Sequence, residues 1–172
     1  GTKGFIGGLN IADKYLHGIK GIGNWRDTHL VMRGESVATL NSVFLVDWYF
    51  VSEILLTEEP GHFDFEKVPD RCWIQMASSG PDSDWANIMQ VYFSAIATAR
   101  KSIYISTPYF SPDESILTAM KTASLSGVDV QMILPDKSDS VVAYWNTRSY
   151  IDELMEAGIA IFLYKKGFNH SK

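Results

Sequence analysis

The chain has 172 residues, of which 46% are hydrophobic and 13% aromatic, and its formal net charge is −5. This composition is typical of a globular protein with a sizeable core and excludes a disordered chain. The acidic balance disfavours nucleic acid as the partner, although it is compatible with a local site for a small phosphate-bearing substrate. Cys72 is the single cysteine, so we expect a buried free thiol in a reducing compartment.

The first 57 residues predict two strands and a helix. The stretch "GFIGGLNI" indicates a strand that runs into a tight turn, and "DTHLVMRG" alternates like a second strand. A long amphipathic helix follows, with Glu35 in its first turn and an apolar stretch at Ser42–Leu56. We expect this helix to pack against a core. The alternative is a helix on a membrane surface, but its polar positions carry Asp47 and Glu53 instead of Lys and Arg.

The remainder of the chain predicts a connecting segment and then alternating strands and helices. Residues 58–70 contain Pro, Gly and charge without a clear period, which indicates a linker or excursion loop. We expect strands at 72–78, 102–107, 128–135 and 159–166, and helices at 84–100, 115–127 and 140–158. This order is typical of βαβ units and predicts an α/β fold with a mixed, mainly parallel sheet flanked by helices. The chain has no Gly-rich phosphate loop, which disfavours nucleotide binding.

Several segments carry a family resemblance when they are taken in order. The chain begins with "GTKGFIGGLNIAD", continues with "NWRDTHLVMRG" and "TPYFSPDES", and ends with "GFNHSK". Together they resemble the phospholipase D superfamily and, within it, the bacterial cardiolipin synthases. That superfamily has two copies of His-x-Lys-x4-Asp, each followed by Gly-Gly or Gly-Ser, two residues and Asn. Here "HSK" is similar to the start of the second copy, and "GGLN" is similar to the end of the first.

The resemblance implies two incomplete halves. Residues 1–57 correspond to the back part of the first phospholipase D-like half, 58–70 to the connection, and 71–172 to the front part of the second half. The His and Lys of the first copy and the Asp of the second are not among these residues. We therefore expect a fragment that folds but does not turn over substrate by itself.

Three catalytic residues follow from the resemblance. His170 matches one of the two motif histidines, and Lys172 matches a phosphate-binding lysine; a solvated tail is their alternative. The resemblance leaves open which histidine is the nucleophile, and the usual assignment in relatives makes His170 the general acid and base. Asp27 matches a carboxylate that orients a motif histidine, and its separation in sequence assigns it to the histidine of the first copy; an exposed Asp at a strand start is the alternative. A carboxylate behind one imidazole nitrogen fixes the tautomer and the orientation of the ring.

Three further residues are candidates for substrate binding. Asn10 matches the phosphate-contacting Asn of the first copy, and a helix N-cap is its alternative role. Gly8 permits a close approach of backbone to substrate, although turn geometry explains it almost as well. Tyr109 follows a predicted strand end, where open α/β sheets place ligand contacts, and packing is an equally good explanation for it.

The resemblance also implies a reaction. A phosphatidyl group passes from one phosphatidylglycerol to another through a phosphohistidine, and glycerol is released without a metal or another cofactor. The chemistry needs one imidazole as nucleophile, another as acid and base, and Lys and Asn side chains on the phosphoryl oxygens. The alternatives are a phospholipase D-type phosphodiesterase, either a hydrolase or a nuclease, and a non-catalytic phospholipid-binding module of the same fold.

The expected partners and location follow from the same family. We expect phosphatidylglycerol as substrate, no nucleic acid, and a parent protein at the cell membrane with its catalytic domain facing the cytoplasm. The fragment itself is expected to be soluble. Strand edges left without a neighbour predict a homodimer formed by strand exchange.

Overall fold

The computed structural model describes residues 1–57, 63, 72–81 and 83–172. The elements in chain order are β1 (Lys3–Gly7), α1 (Asp13–His17), β2 (Asn24–Arg26), β3 (His29–Arg33), α2 (Ser36–Ser52), α3 (Asn87–Thr98), β4 (Ser102–Ser106), α4 (Glu114–Leu125), β5 (Asp129–Pro135), α5 (Val141–Ser149), α6 (Ile151–Glu156), β6 (Ala160–Tyr164) and β7 (Gly167–Asn169). The predicted loop at 58–70 lies outside the described residues, apart from Phe63.

The described chain divides into two compact units. The first consists of Gly1–Ile6 and His29–Asn87, and the second of Gly7–Thr28 and Ile88–Lys172. In the first unit, β1 pairs with β3, and α2 follows directly after them. All the candidate site residues fall in the second unit.

A three-stranded parallel sheet forms the centre of the second unit. Strand β5 lies between β4 and β6 and pairs in parallel with both. Val130, Met132 and Leu134 alternate along β5 and are at most 2% exposed, because side chains two apart lie on one face of a strand. Asp113 caps the N-terminus of helix α4, because its carboxylate accepts from the backbone N–H of Ile116 at 3.0 Å. These features confirm the predicted α/β fold with parallel strands and helices.

A second parallel ladder joins the two ends of the second unit. Strand β2 pairs with β7, and Trp25 lies opposite Phe168. Gly167 permits this pairing, because its φ is 137° and an added Cβ would lie 2.1 Å from the carbonyl oxygen of Asn24. The ladder brings the residue after β2, Asp27, next to the residue after β7, His170.

Some predicted elements differ from the structure. Residues 72–80 were predicted to begin with a strand, but they are described without strand pairing, and Trp73 is fully exposed. Cys72 is a free thiol but is exposed, so its predicted burial is wrong. The strands form three small sheets in the described residues instead of one. The helix predicted at 140–158 is divided at Tyr150, whose N–H bonds to the carbonyl of Thr147 in a tighter, i to i−3 turn.

Helix α2 is present but is not packed as predicted. It begins six residues before the predicted apolar stretch and ends at Ser52. Val37 is its buried residue, whereas Phe50 and Val51 are 78% and 85% exposed. Apolar side chains are spread around the helix, so no single face of it can be buried on one core. Among the described residues, no helix has the length and apolar character needed to cross a bilayer.

Candidate active site

His170 is held by its backbone and by its side chain. Its N–H donates to the carbonyl oxygen of Arg26 at 2.8 Å, which extends the β2–β7 ladder by one step. Its Nδ1 lies 2.6 Å from Oδ2 of Asp27. The two side chains are 12% and 4% exposed, so the pair is largely shielded from water. A shielded pair of this kind is held more firmly than a surface ion pair.

The Asp27 carboxylate is in its charged form at neutral pH. Burial by itself raises the pKa of Asp27, but the hydrogen bonds from His170 and from the backbone N–H of Thr28 outweigh it, and the net shift is downward. An ionised carboxylate only accepts hydrogen bonds, which assigns the proton to Nδ1 of His170. Nε2 is therefore the ring nitrogen that is available for chemistry.

Lys172 places a cation beside the same ring. Its Nζ lies 3.2 Å from Nε2 and 3.1 Å from Nδ1 of His170, and it also donates to the carbonyl oxygen of His170 at 3.0 Å. The two nearly equal distances place the ammonium group over the face of the imidazole, between its two nitrogens. Residues 170 and 172 lie on the same face of an extended chain, which explains their proximity.

Four aromatic rings surround the imidazole of His170. The ring centroid of Trp25 lies 4.9 Å from it, that of Phe168 5.9 Å, and those of Tyr15 and Tyr109 6.2 Å each. The indole Nε1 of Trp25 is buried and has no acceptor in the described part of the chain, so Trp25 contributes packing. Flat apolar walls restrict the tilt of the imidazole and lower the local dielectric.

Tyr109 belongs to a polar group at the edge of this aromatic enclosure. Its hydroxyl donates to Oδ1 of Asp139 at 2.6 Å, and Oδ2 of Asp139 lies 3.6 Å from Nζ of Lys14. Lys14 also lies 4.2 Å from the ring centroid of Trp25, a cation–π geometry. Burial, followed by the hydrogen bond to Asp139, raises the pKa of Tyr109 well above its usual value. The hydroxyl therefore remains a donor.

Gly8 and Asn10 have contacts that the sequence does not reveal. A Cβ at Gly8 would lie 2.3 Å from Oδ1 of Asp27, so Gly8 leaves room for the carboxylate that holds His170. Asn10 is exposed and donates to the hydroxyl of Tyr15 at 3.0 Å. Helix α1 has Ala12 at its N-cap, so Asn10 does not cap it.

The structure brings Asp27, His170 and Lys172 together directly and places Tyr109 at the edge of the imidazole. It pairs Asp27 with His170, whereas the sequence had assigned Asp27 to the histidine of the other motif copy. The roles of Trp25, Tyr15 and Phe168 were missed. Their contacts depend on the β2–β7 ladder, and three-residue strands leave too short a pattern to detect. In the described ranges, no three His, Cys, Asp or Glu side chains gather closely enough to hold a metal ion.

Comparisons with known proteins find similar sequences among the cardiolipin synthases. Residues 92–172 match the family described as "Cardiolipin synthase, PLD-like domain". The chain is 47% identical to cardiolipin synthase 2 of Bacillus anthracis over 175 positions, which cover 100% of this chain and 34% of that protein. It is 47% identical to a cardiolipin synthase of Geobacillus kaustophilus and 41% identical to the major cardiolipin synthase of Bacillus subtilis. These matches cover the whole chain and 34% and 36% of the two relatives.

Residues 92–172 carry a phospholipase D-like domain of the cardiolipin synthase type. Over its whole length, the chain is similar to proteins named cardiolipin synthase. It spans about a third of the length of the curated relatives that it matches.

Proposed function

We propose that this chain contributes to the active site of a cardiolipin synthase, which transfers a phosphatidyl group from one phosphatidylglycerol to another and releases glycerol. The observation that carries the proposal is the arrangement of Asp27, His170 and Lys172. It provides an imidazole oriented by a carboxylate and flanked by an ammonium group. The relatives named as cardiolipin synthases support this choice of lipid chemistry.

In the first half-reaction, a second histidine attacks phosphorus of the donor lipid. The bond from phosphorus to the glycerol oxygen breaks as a phosphorus–nitrogen bond forms, and His170 gives the proton on Nε2 to the leaving glycerol oxygen. Asp27 stabilises the positive charge of His170 before that transfer and keeps Nδ1 protonated after it. The second histidine belongs to the other motif copy, whose His and Lys are not among the 172 residues.

In the second half-reaction, the proton is transferred in the opposite direction. Nε2 of His170 removes a proton from the free hydroxyl of the second phosphatidylglycerol. That oxygen attacks phosphorus, the phosphorus–nitrogen bond breaks, and cardiolipin leaves. The Lys172 ammonium group moves from the imidazole of His170 to a non-bridging phosphoryl oxygen, where charge accumulates in the transition state. This scheme needs no metal and no organic cofactor.

Asn10, Gly8 and Tyr109 have supporting roles in the proposal. Asn10 is exposed, and its amide is available to a phosphoryl oxygen when it releases Tyr15. Gly8 has no side chain and therefore leaves space for the Asp27 carboxylate next to the backbone. This role is more specific than the predicted close approach of backbone to substrate. Tyr109 is a protonated donor near the imidazole and is suited to a headgroup hydroxyl.

The proposed reaction requires more than the 172 residues. The sequence contains one His-x-Lys pair, at His170 and Lys172, and the paired mechanism needs two. When catalytic residues act as a unit, an enzyme that lacks one of them loses nearly all of its activity. We therefore propose that the chain works within a protein of its relatives' length and does not turn over substrate alone. Membrane association of that protein, and a homodimer of the isolated chain by strand exchange, belong to the same proposal.

The test is product analysis with phosphatidylglycerol vesicles and purified full-length protein that contains this chain. We expect cardiolipin and glycerol in equal amounts, with no loss of rate when EDTA is added. The isolated 172-residue chain is the matched control and should form neither product. Phosphatidic acid in place of cardiolipin would show a hydrolase. Vesicle binding without any product would show a binding module, and either result would overturn the proposal.

A further inference from the structure

The pairing of β2 with β7 gives this ladder two distinct faces. Side chains alternate along an extended strand, so residues two apart share a face. One face carries Trp25 and Asp27 from one strand, and Phe168, His170 and Lys172 from the other. We call this the front face, because it contains the proposed catalytic groups.

The opposite face carries Arg26, Asn169 and Ser171. Nη1 of Arg26 donates to Oγ of Ser171 at 2.6 Å and lies 3.4 Å from Oδ1 of Asn169. Asn169 and Ser171 are 1% and 2% exposed. The two residues that flank His170 in sequence are thus both held by one guanidinium group. Hydrogen bonds from a charged donor are stronger than those between neutral groups. Removal of the guanidinium group would leave the buried side chains of Asn169 and Ser171 without this donor at the same time.

The same contacts extend to the central sheet. Nδ2 of Asn169 donates to Oγ of Ser106 at 2.9 Å. Ser106 is the last residue of β4 and lies opposite Ile133 of β5. Arg26, Asn169, Ser171 and Ser106 therefore form a continuous set, which we call the back-face network.

We propose that Arg26 is a positioning residue, which fixes His170 and Lys172 relative to Asp27 through the back-face network. Its backbone carbonyl receives the N–H of His170, and its guanidinium group holds the side chains on both sides of that histidine. Because the side chain of Arg26 lies on the other face from the imidazole, it acts through the strand and not on substrate. A displacement of about 1 Å in a catalytic group can cost about a hundredfold in rate.

The first test is NMR of the 172-residue chain and needs no activity. In Arg26→Met, we expect a shift of the His170 ring signals and loss of the resonance of the Nδ1 proton shared with Asp27. Arg148→Met is the matched control, because Arg148 contacts the carbonyl oxygen of Asp136 and the ring of Tyr144 away from this ladder. Unchanged His170 signals in folded Arg26→Met, or an equal change in Arg148→Met, would overturn the proposal.

The second test is the kinetics of the full-length protein that contains this chain, and it rests on the proposed function. We expect Arg26→Met to lower kcat by about 10- to 100-fold with little change in KM. Arg26→Lys, which keeps a cation for Ser171, should recover most of the loss and provides the measurement if Arg26→Met does not fold. Addition of Ser171→Ala to Arg26→Met should cause little further loss, because both remove the same contact.

The outcomes separate the two proposals. Equal kcat in wild type and Arg26→Met, or full additivity with Ser171→Ala, would overturn the positioning role. Absence of phosphatidyl transfer by the wild type would overturn the proposed function, and the NMR result would still decide the role of Arg26.

Discussion

Nδ1 of His170 lies 2.6 Å from Oδ2 of Asp27, although 143 residues separate them in the sequence. Each follows a three-residue strand, and the two strands pair in parallel, so one ladder aligns both residues. The carboxylate fixes the tautomer of the imidazole and leaves Nε2 beside the ammonium group of Lys172.

Asp27→Asn tests whether catalysis requires the negative charge of Asp27. An Asn side chain is similar in shape, but it stabilises a protonated imidazole less and allows the wrong tautomer. We expect kcat for phosphatidyl transfer to fall by about 10²- to 10⁴-fold, with KM changed much less. Asp152→Asn, at an exposed position of α6, is the control and should retain the wild-type rate. A loss below threefold in Asp27→Asn would contradict the orienting role.

Gly8→Ala tests the close approach of Gly8 to the same carboxylate. The new Cβ would lie 2.3 Å from Oδ1 of Asp27, so either the carboxylate or the backbone must move. We expect a loss of stability of about 1–3 kcal/mol and a fall in activity larger than this loss explains. Gly127→Ala is the stability control, because Gly127 has a φ of 91° and open space around its Cβ position. If both variants keep full activity, Gly8 has no part in placing Asp27.

The pH dependence of stability should report the charge of Asp27. Its folded-state pKa is below its usual value, because hydrogen bonds from His170 and Thr28 outweigh burial. The group therefore adds stability that is complete above about pH 4 and is lost as the pH falls through the folded-state pKa. Urea unfolding between pH 6 and pH 2 should show a steeper fall in the free energy of unfolding for wild type than for Asp27→Asn. Parallel curves would contradict this assignment.

Tyr109→Phe tests whether the hydroxyl acts as a neutral donor. The pKa of Tyr109 is raised by burial and by Asp139, so the hydroxyl does not ionise in the range of an activity assay. We expect a fall in kcat/KM of about tenfold, as for loss of a hydrogen bond to a substrate. The alkaline side of the pH–rate profile should keep its shape. A wild-type decline at high pH that disappears in Tyr109→Phe would show instead that Tyr109 ionises.

The second unit was predictable because its signals are local and repeated. The strands β4, β5 and β6 alternate with helices, and Gly127 and Gly158, both with positive φ, lie just after the ends of α4 and α6. The "HSK" and "NWRD" segments predict His170, Lys172 and Asp27 as site residues, and these three side chains lie together in the structure.

The missing parts of the prediction depend on tertiary contacts. The partner of Asp27 could not be read from spacing, because it is set by the pairing of β2 with β7. The alternation at 72–78 suggested a strand, but alternation alone does not supply a neighbouring strand for pairing. The apolar residues of α2 suggested burial, whereas Val37 is its one buried residue. In each case the local pattern is present in the sequence, but tertiary contacts determine which residues pair and which are buried.

The most direct measurement of the central claim is the lipid product of full-length protein with His170→Ala. Cells that make the wild-type protein, or vesicles incubated with it, should accumulate cardiolipin from phosphatidylglycerol. His170→Ala should lower that rate by at least about 10³-fold, because the proposed acid and base is removed from a set that acts as a unit. His29→Ala, at an exposed position, should behave like wild type. Cardiolipin formation by His170→Ala at the wild-type rate would contradict the account.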